Sequence, residues 1–146
     1  MDYKILSELN IKLSERKEML VNFLTFLSKR TEFKECGIKF ESRGFSFWGY
    51  EFEFSFMYGG KDQNYFYLQR VFYDEDNKLK NDKIIKFQID LSSDSVHIVN
   101  GRVVEYSLIN IKNASDNPEN KNAATFVNGI IRKLIRYLKE KSYKVF

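Results

Sequence analysis

Between residues 37 and 112 the apolar side chains recur at every second position, and on either side of that stretch they recur at helical spacing. This switch of period restricts the chain to a sheet with a helix at each end. Residues 83–91 alternate most cleanly, with Ile85, Phe87, Ile89 and Leu91 on one face and Lys86, Gln88 and Asp90 on the other. Strands are expected at 38–42, 45–58, 65–73, 83–91 and 96–106. The last contains Asn100-Gly101, a hairpin signal because a type I′ turn needs φ > 0 at both central residues. It is expected to run on through Leu108 and Ile111. Turns are expected at 59–62 and at Asp74-Glu75-Asp76-Asn77. Short connections between successive strands imply an antiparallel meander of five or six strands.

The first thirty residues read as helix. Leu6, Leu9, Leu13, Arg16, Leu20, Phe23 and Leu27 are spaced alternately by three and four, a heptad seam with one polar break. Either one helix runs from Tyr3 to Arg30, or a shorter one begins at a Ser14 cap with Glu15 and Glu18 in its first turn. The seam serves packing on the sheet, and it also admits a homodimer through this helix. A polar stretch at 113–122, with Pro118, leads into a second helix starting near Asn117-Pro118 or Asn122. There Val127, Ile130, Ile131, Leu134, Ile135 and Leu138 share one side. The expected fold is α+β: one domain over 1–146, helical at 1–30, sheet at 37–112, helix at 118–142.

Charge and aromaticity concentrate in different places. The chain carries 24 Lys+Arg against 20 Asp+Glu, a net +4. Residues 118–146 hold seven Lys/Arg and two Glu, so the positive excess lies in the C-terminal segment. Arg132, Lys133, Arg136 and Lys139 form its basic face, suited to an acidic protein or to phosphates. Thirteen of the 24 aromatic residues fall within 45–73. Trp48, Tyr50, Phe52, Phe54, Phe56 and Tyr58 share one face of a strand, and Glu51, Glu53, Ser55 and Met57 the other. Phe45 and Phe47 are in the opposite phase, which demands a bulge or turn near Trp48-Gly49. A core strand explains this alternation.

The segment Arg43-Gly44-Phe45-Ser46-Phe47-Trp48-Gly49-Tyr50 resembles the RNP1 motif of RNA-recognition domains, and more loosely its cold-shock version. The resemblance implies that Phe45, Phe47 and Tyr50 stack bases while Arg43 meets phosphate, and Trp48 is a further candidate of the same surface. Ser46 and Trp48 depart from the pattern. At the level of architecture, a sheet followed by a helix also looks like the Whirly group of single-stranded-DNA-binding proteins.

Catalytic signals are sparse. His97 is the only histidine and Cys36 the only cysteine, which leaves no disulfide framework and no Cys/His zinc site. Glu51 and Glu53 are same-face neighbours roughly 7 Å apart by strand geometry, read as solvent-facing carboxylates. Asp74-Glu75-Asp76-Asn77-Lys78 places oxygens at alternate positions, but Lys78 breaks the calcium pattern. The Met1-Asp2-Tyr3-Lys4 start has no apolar core of a signal sequence. The most hydrophobic stretch, 19–27, is half the roughly 18 residues of a membrane span. A cytoplasmic location is expected. These features point to a small intracellular non-catalytic binding protein, of the inhibitor, immunity-factor or phage and mobile-element accessory type. The expected partner is a protein, acidic as the complement of the basic face; single-stranded nucleic acid is the alternative. No membrane, cofactor or metal is implied.

Overall fold

A computed structural model describes residues 3–41, 43–56, 64–111 and 121–141. The chain is α+β, with seven antiparallel strands in sequence order and helices at both ends. Helix α1 (Tyr3–Lys29) is followed by the short α2 (Thr31–Glu35). The strands are β1 (Lys39–Glu41), β2 (Gly44–Phe47), β3 (Tyr50–Phe56), β4 (Tyr65–Tyr73), β5 (Leu79–Asp90), β6 (Ser95–Asn100) and β7 (Val103–Leu108). Helix α3 (Lys121–Lys141) closes the described chain. The turn expected at 59–62 and the linker around Pro118 lie outside the described residues, as do Met57 and Tyr58.

The count is seven rather than five or six because the stretch expected as one strand over 45–58 is a hairpin. Phe47 pairs with Tyr50 across Trp48 and Gly49, whose φ angles are 55° and 79°. Two consecutive left-handed residues form a two-residue reversal that suits the twist of the flanking strands. The hairpin at Asn100-Gly101 also forms, shifted by one residue. Asn100 pairs with Val103, so Gly101 and Arg102 are the central residues and only Gly101 has positive φ. Strand β5 starts at Leu79 rather than Lys83. Asp74 ties the turn through its own backbone and carboxylate: its N–H donates to the Lys78 carbonyl, and Oδ1 accepts the amides of Asp76 and Lys78 at 2.9 Å. The chain therefore re-enters the sheet at once. Strand β7 ends at Leu108, and Ile111 contributes a buried side chain with its N–H on the Asp94 carbonyl.

One continuous helix, without a break at Ser14, spans Tyr3–Lys29. Its seam enters the core only in its second half. Leu20, Phe23 and Leu27 are buried, Arg16 is half-buried, and Leu6 is 50% exposed. The side chains of Leu9 and Leu13 lie outside the described residues. Phe23 is the hub: its ring meets Phe54, Phe66, Phe87 and Phe126 at centroid distances of 5.7, 5.3, 5.3 and 5.9 Å, all edge-on. One side chain of α1 thus joins β3, β4, β5 and α3. Such pairs add about 0.5–1.5 kcal/mol each beyond simple area burial. Phe66 and Phe87 stack across β4 and β5 at 4.8 Å. The aromatic excess is mainly core.

Two glycines allow close approaches. A Cβ on Gly44 would lie 2.0 Å from the Phe52 carbonyl oxygen, and one on Gly129 would lie 2.8 Å from the Tyr106 ring. Gly129 lets α3 press onto β7. Along α3, Ala123, Phe126, Val127, Ile130, Leu134, Tyr137 and Leu138 are buried, whereas Ile135, expected among them, is 38% exposed. No helix among the described residues is long and apolar enough to cross a membrane.

Candidate interaction surface

The β2–β3 and β4–β5 hairpins end side by side, because β3 and β4 pair from Glu51↔Val71 onward. Their tips gather large side chains from both hairpins. Trp48 is 56% exposed, Tyr73 69% and Leu79 62%, with Phe47, Tyr50 and Phe72 half-buried between them and the core. Trp48 occupies a left-handed position where Asn or Gly is usual, at a cost of roughly 1–2 kcal/mol for a residue bearing Cβ.

Beneath the tips, the Arg70 guanidinium lies over two rings, with Cζ 4.1 Å from the centroid of Tyr50 and 4.5 Å from that of Phe72. Its Nε is buried without a hydrogen-bond partner among the described residues. The rings account for its place, since aromatic faces stabilise a weakly hydrated guanidinium. Arg70 pairs in register with Asp82, whose carboxylate accepts the phenolic proton of Tyr137 at 2.5 Å. Burial first, and the Asp82 hydrogen bond second, push the Tyr137 phenol up to about 12 from 10.0, with Arg70 opposing. Tyr137 also meets the Phe52 ring edge-on at 6.5 Å. The last turns of α3 therefore sit at the same end of the sheet as the hairpin tips.

The residues singled out in the sequence separate in space. Of the RNP1-like segment, Phe45 is buried and stacked on Phe52 at 5.1 Å, which removes it from any surface. Phe47 is half-buried, Trp48 and Tyr50 belong to the tip, and Arg43 borders a groove with Lys17, Leu20, Val21, Leu24 and Phe40. The segment is a hairpin and not one strand, so its aromatics do not form a single platform. Gly44 serves the close crossing of β3. Of the basic face, Arg132, Arg136 and Lys139 are exposed. Lys133 turns aside to β7, where Nζ meets Glu105 at 2.7 Å.

Sequence reasoning missed a second surface. No described helix covers the other face of the sheet. There Lys86 caps the Tyr65 ring at 4.1 Å and Lys83 the Tyr67 ring at 4.6 Å. The signal in the sequence is the run Lys78, Lys80, Lys83, Lys86, interrupted by the single acid Asp82. On the same face, Glu53 accepts from Gln69 at 2.8 Å and Glu51 accepts from the Ser46 hydroxyl. Both carboxylates hold neighbouring side chains rather than facing each other across a cleft.

His97 shares a hydrogen bond of 2.7 Å between Nδ1 and Ser107 Oγ. The two are registered partners across β6 and β7, a cross-strand pair of the ordinary kind. The Asp90 carboxyl is held below the usual carboxylate range by the Ser92 and Ser93 side chains and amides that cap its turn. Among the described residues no group of three His, Cys, Asp or Glu side chains is arranged to hold a metal ion. Cys36 is exposed just after α2. Comparison of the chain with family models, curated proteins and solved structures finds no significant match.

Proposed function

We propose that this is a small non-catalytic binding protein of the cytoplasm that acts by docking on another protein, as inhibitors, immunity factors and phage or mobile-element accessory proteins do. The observation that carries the reading is Trp48, an exposed tryptophan in a left-handed turn position. Strain of this kind persists where the surroundings over-determine it, and it concentrates at functional sites. Around it stand Tyr73, Leu79, Tyr50 and the ring-supported Arg70. Trp, Tyr and Arg are the residue types that dominate binding hot spots. The exposed cations Arg132, Arg136 and Lys139 favour an acidic partner through attraction at the rim. The test is capture of partners from a lysate of the native host by wild-type protein and by Trp48→Asn and Tyr73→Ala variants of unchanged thermal stability. A specific partner lost from both variants supports the reading; equal capture by all three proteins defeats it.

A second reading, binding of single-stranded nucleic acid, is favoured by a different observation: the Tyr65–Lys86 and Tyr67–Lys83 pairs on the uncovered sheet face. Phosphates would draw the ammonium groups aside and expose rings for stacking. A salt-dependent affinity for oligothymidylate, lost in Lys83→Glu/Lys86→Glu, is the expected result. Absence of binding at low salt removes this reading.

A further inference from the structure

We propose that the half of β5 not reached by β6 is a docking edge for an extended acidic segment of the partner, which joins the sheet as an added strand beside residues 79–85. The proposal rests on the protein-binding reading above and names the chemistry of the partner.

The register carries it. Strand β4 pairs with β5 from Leu79 to Gln88, whereas β6 pairs with it only from Lys86 to Asp90. Val99 is the last residue of β6 paired with β5, opposite Lys86, and the β6–β7 hairpin turns back just beyond it at Gly101 and Arg102. Strand backbone groups alternate between the two sides. Alternate residues of 79–85 therefore direct N–H and C=O groups to a side where no described strand stands. Such an edge is a template for main-chain pairing with an extended peptide.

An open groove of about 360 Å³ lies beyond the hairpin, and its lining includes Tyr67, Lys83, Ile84, Lys86, Gly101 and Lys133. It occupies the place into which β6 would extend. Its charge is one-sided. Lys83 and Lys86 line it from the strand, and Lys133 reaches in from α3, positioned by Glu105. The one acid within residues 79–85, Asp82, is engaged by Tyr137. Lysines and bulges are also devices that protect an open edge, and β5 is irregular opposite Leu68 and Gln69. What sets this edge apart is a lysine delivered by a separate element, α3, to the groove beside it. Leu79 and the half-buried Ile84 offer apolar contacts, so the fitting segment alternates acidic with β-branched residues. Leu79 also continues this edge into the Trp48–Tyr73 tip.

Amide hydrogen exchange of the full chain, read by NMR, makes the first test. Alternate amides within 79–85 are expected to exchange rapidly, while Lys86–Asp90 are protected from both sides. Uniform protection of 79–85 in the unliganded protein means that the chain covers its own edge, and overturns the proposal. Dodecapeptides are then selected from a random display library. The expected winners alternate Asp or Glu with Val or Ile, slow exchange at 79–85, and bind about tenfold or more weakly to Lys83→Glu/Lys86→Glu. No enrichment, winners without acidic alternation, or protection elsewhere overturns it. Oligothymidylate binding through these lysines, with no peptide protecting the edge, also overturns it and assigns them to nucleic acid. If Trp48→Asn still abolishes partner capture while the edge fails these tests, docking through the hairpin tips stands without strand addition.

Discussion

The Tyr137 hydroxyl donates to Oδ2 of Asp82 across 2.5 Å, fastening the end of α3 to the part of β5 that lies beyond the β6–β7 hairpin. Removing the hydroxyl with Tyr137→Phe should cost about 2 kcal/mol, as for other hydrogen bonds to charged groups. Asp82→Ala should cost more, because the Tyr137 hydroxyl is then left in place without its acceptor. Urea titrations of the three proteins give the comparison, and equal midpoints would show that the contact adds nothing.

The same phenol sets an alkaline limit on stability. Its native value of about 12 exceeds the ordinary 10.0, so between these values the folded chain retains a proton that the unfolded chain releases. The contribution is whole below pH 10 and is lost as pH rises towards 12. Melting temperatures measured from pH 9 to 12 should fall more steeply for wild type than for Tyr137→Phe. Parallel curves would contradict this assignment.

Gly129→Ala should destabilise the protein although alanine is the better helix former by about 1 kcal/mol. The added methyl would meet the Tyr106 ring at 2.8 Å, and overpacking of this kind costs about 1–3 kcal/mol. Tyr106→Leu in the same chain should recover much of the loss. A double-mutant cycle by thermal melting checks the coupling.

Trp48→Asn should leave the melting temperature unchanged or raise it, since asparagine tolerates φ near 55° and relieves strain of roughly 1 kcal/mol. Partner binding should be lost. A variant that melts earlier and still binds would show Trp48 to be a structural residue of the tip.

The periods in the sequence were sufficient for the α+β class, the meander order and most of the core, because alternation and helical spacing are local consequences of backbone geometry. Phe52, Phe54, Ile85, Phe87, Val127 and Leu134 were legible in this way, and all are buried. Phase alone showed that the chain must turn near Trp48, since Phe45 and Phe47 were out of step with Phe52 and Phe54. Whether that meant a bulge or a full reversal depended on pairing with β1 and β4, which adjacent residues do not encode.

The candidate surfaces were less legible. Trp48 and Tyr50 were visible as aromatics, but Arg70 and Phe72 join them only through the β3–β4 register. Lys133 looked like one more cation on a helix face until Glu105, 28 residues earlier, drew it towards β7. By itself the sequence determined which residues must be covered, because periodic apolar faces have to leave water. Only the tertiary structure decided which aromatics remain exposed, which cations meet, and that β6 stops halfway along β5. Those outcomes depend on register and long-range contacts, and their free energy is settled between segments rather than within them.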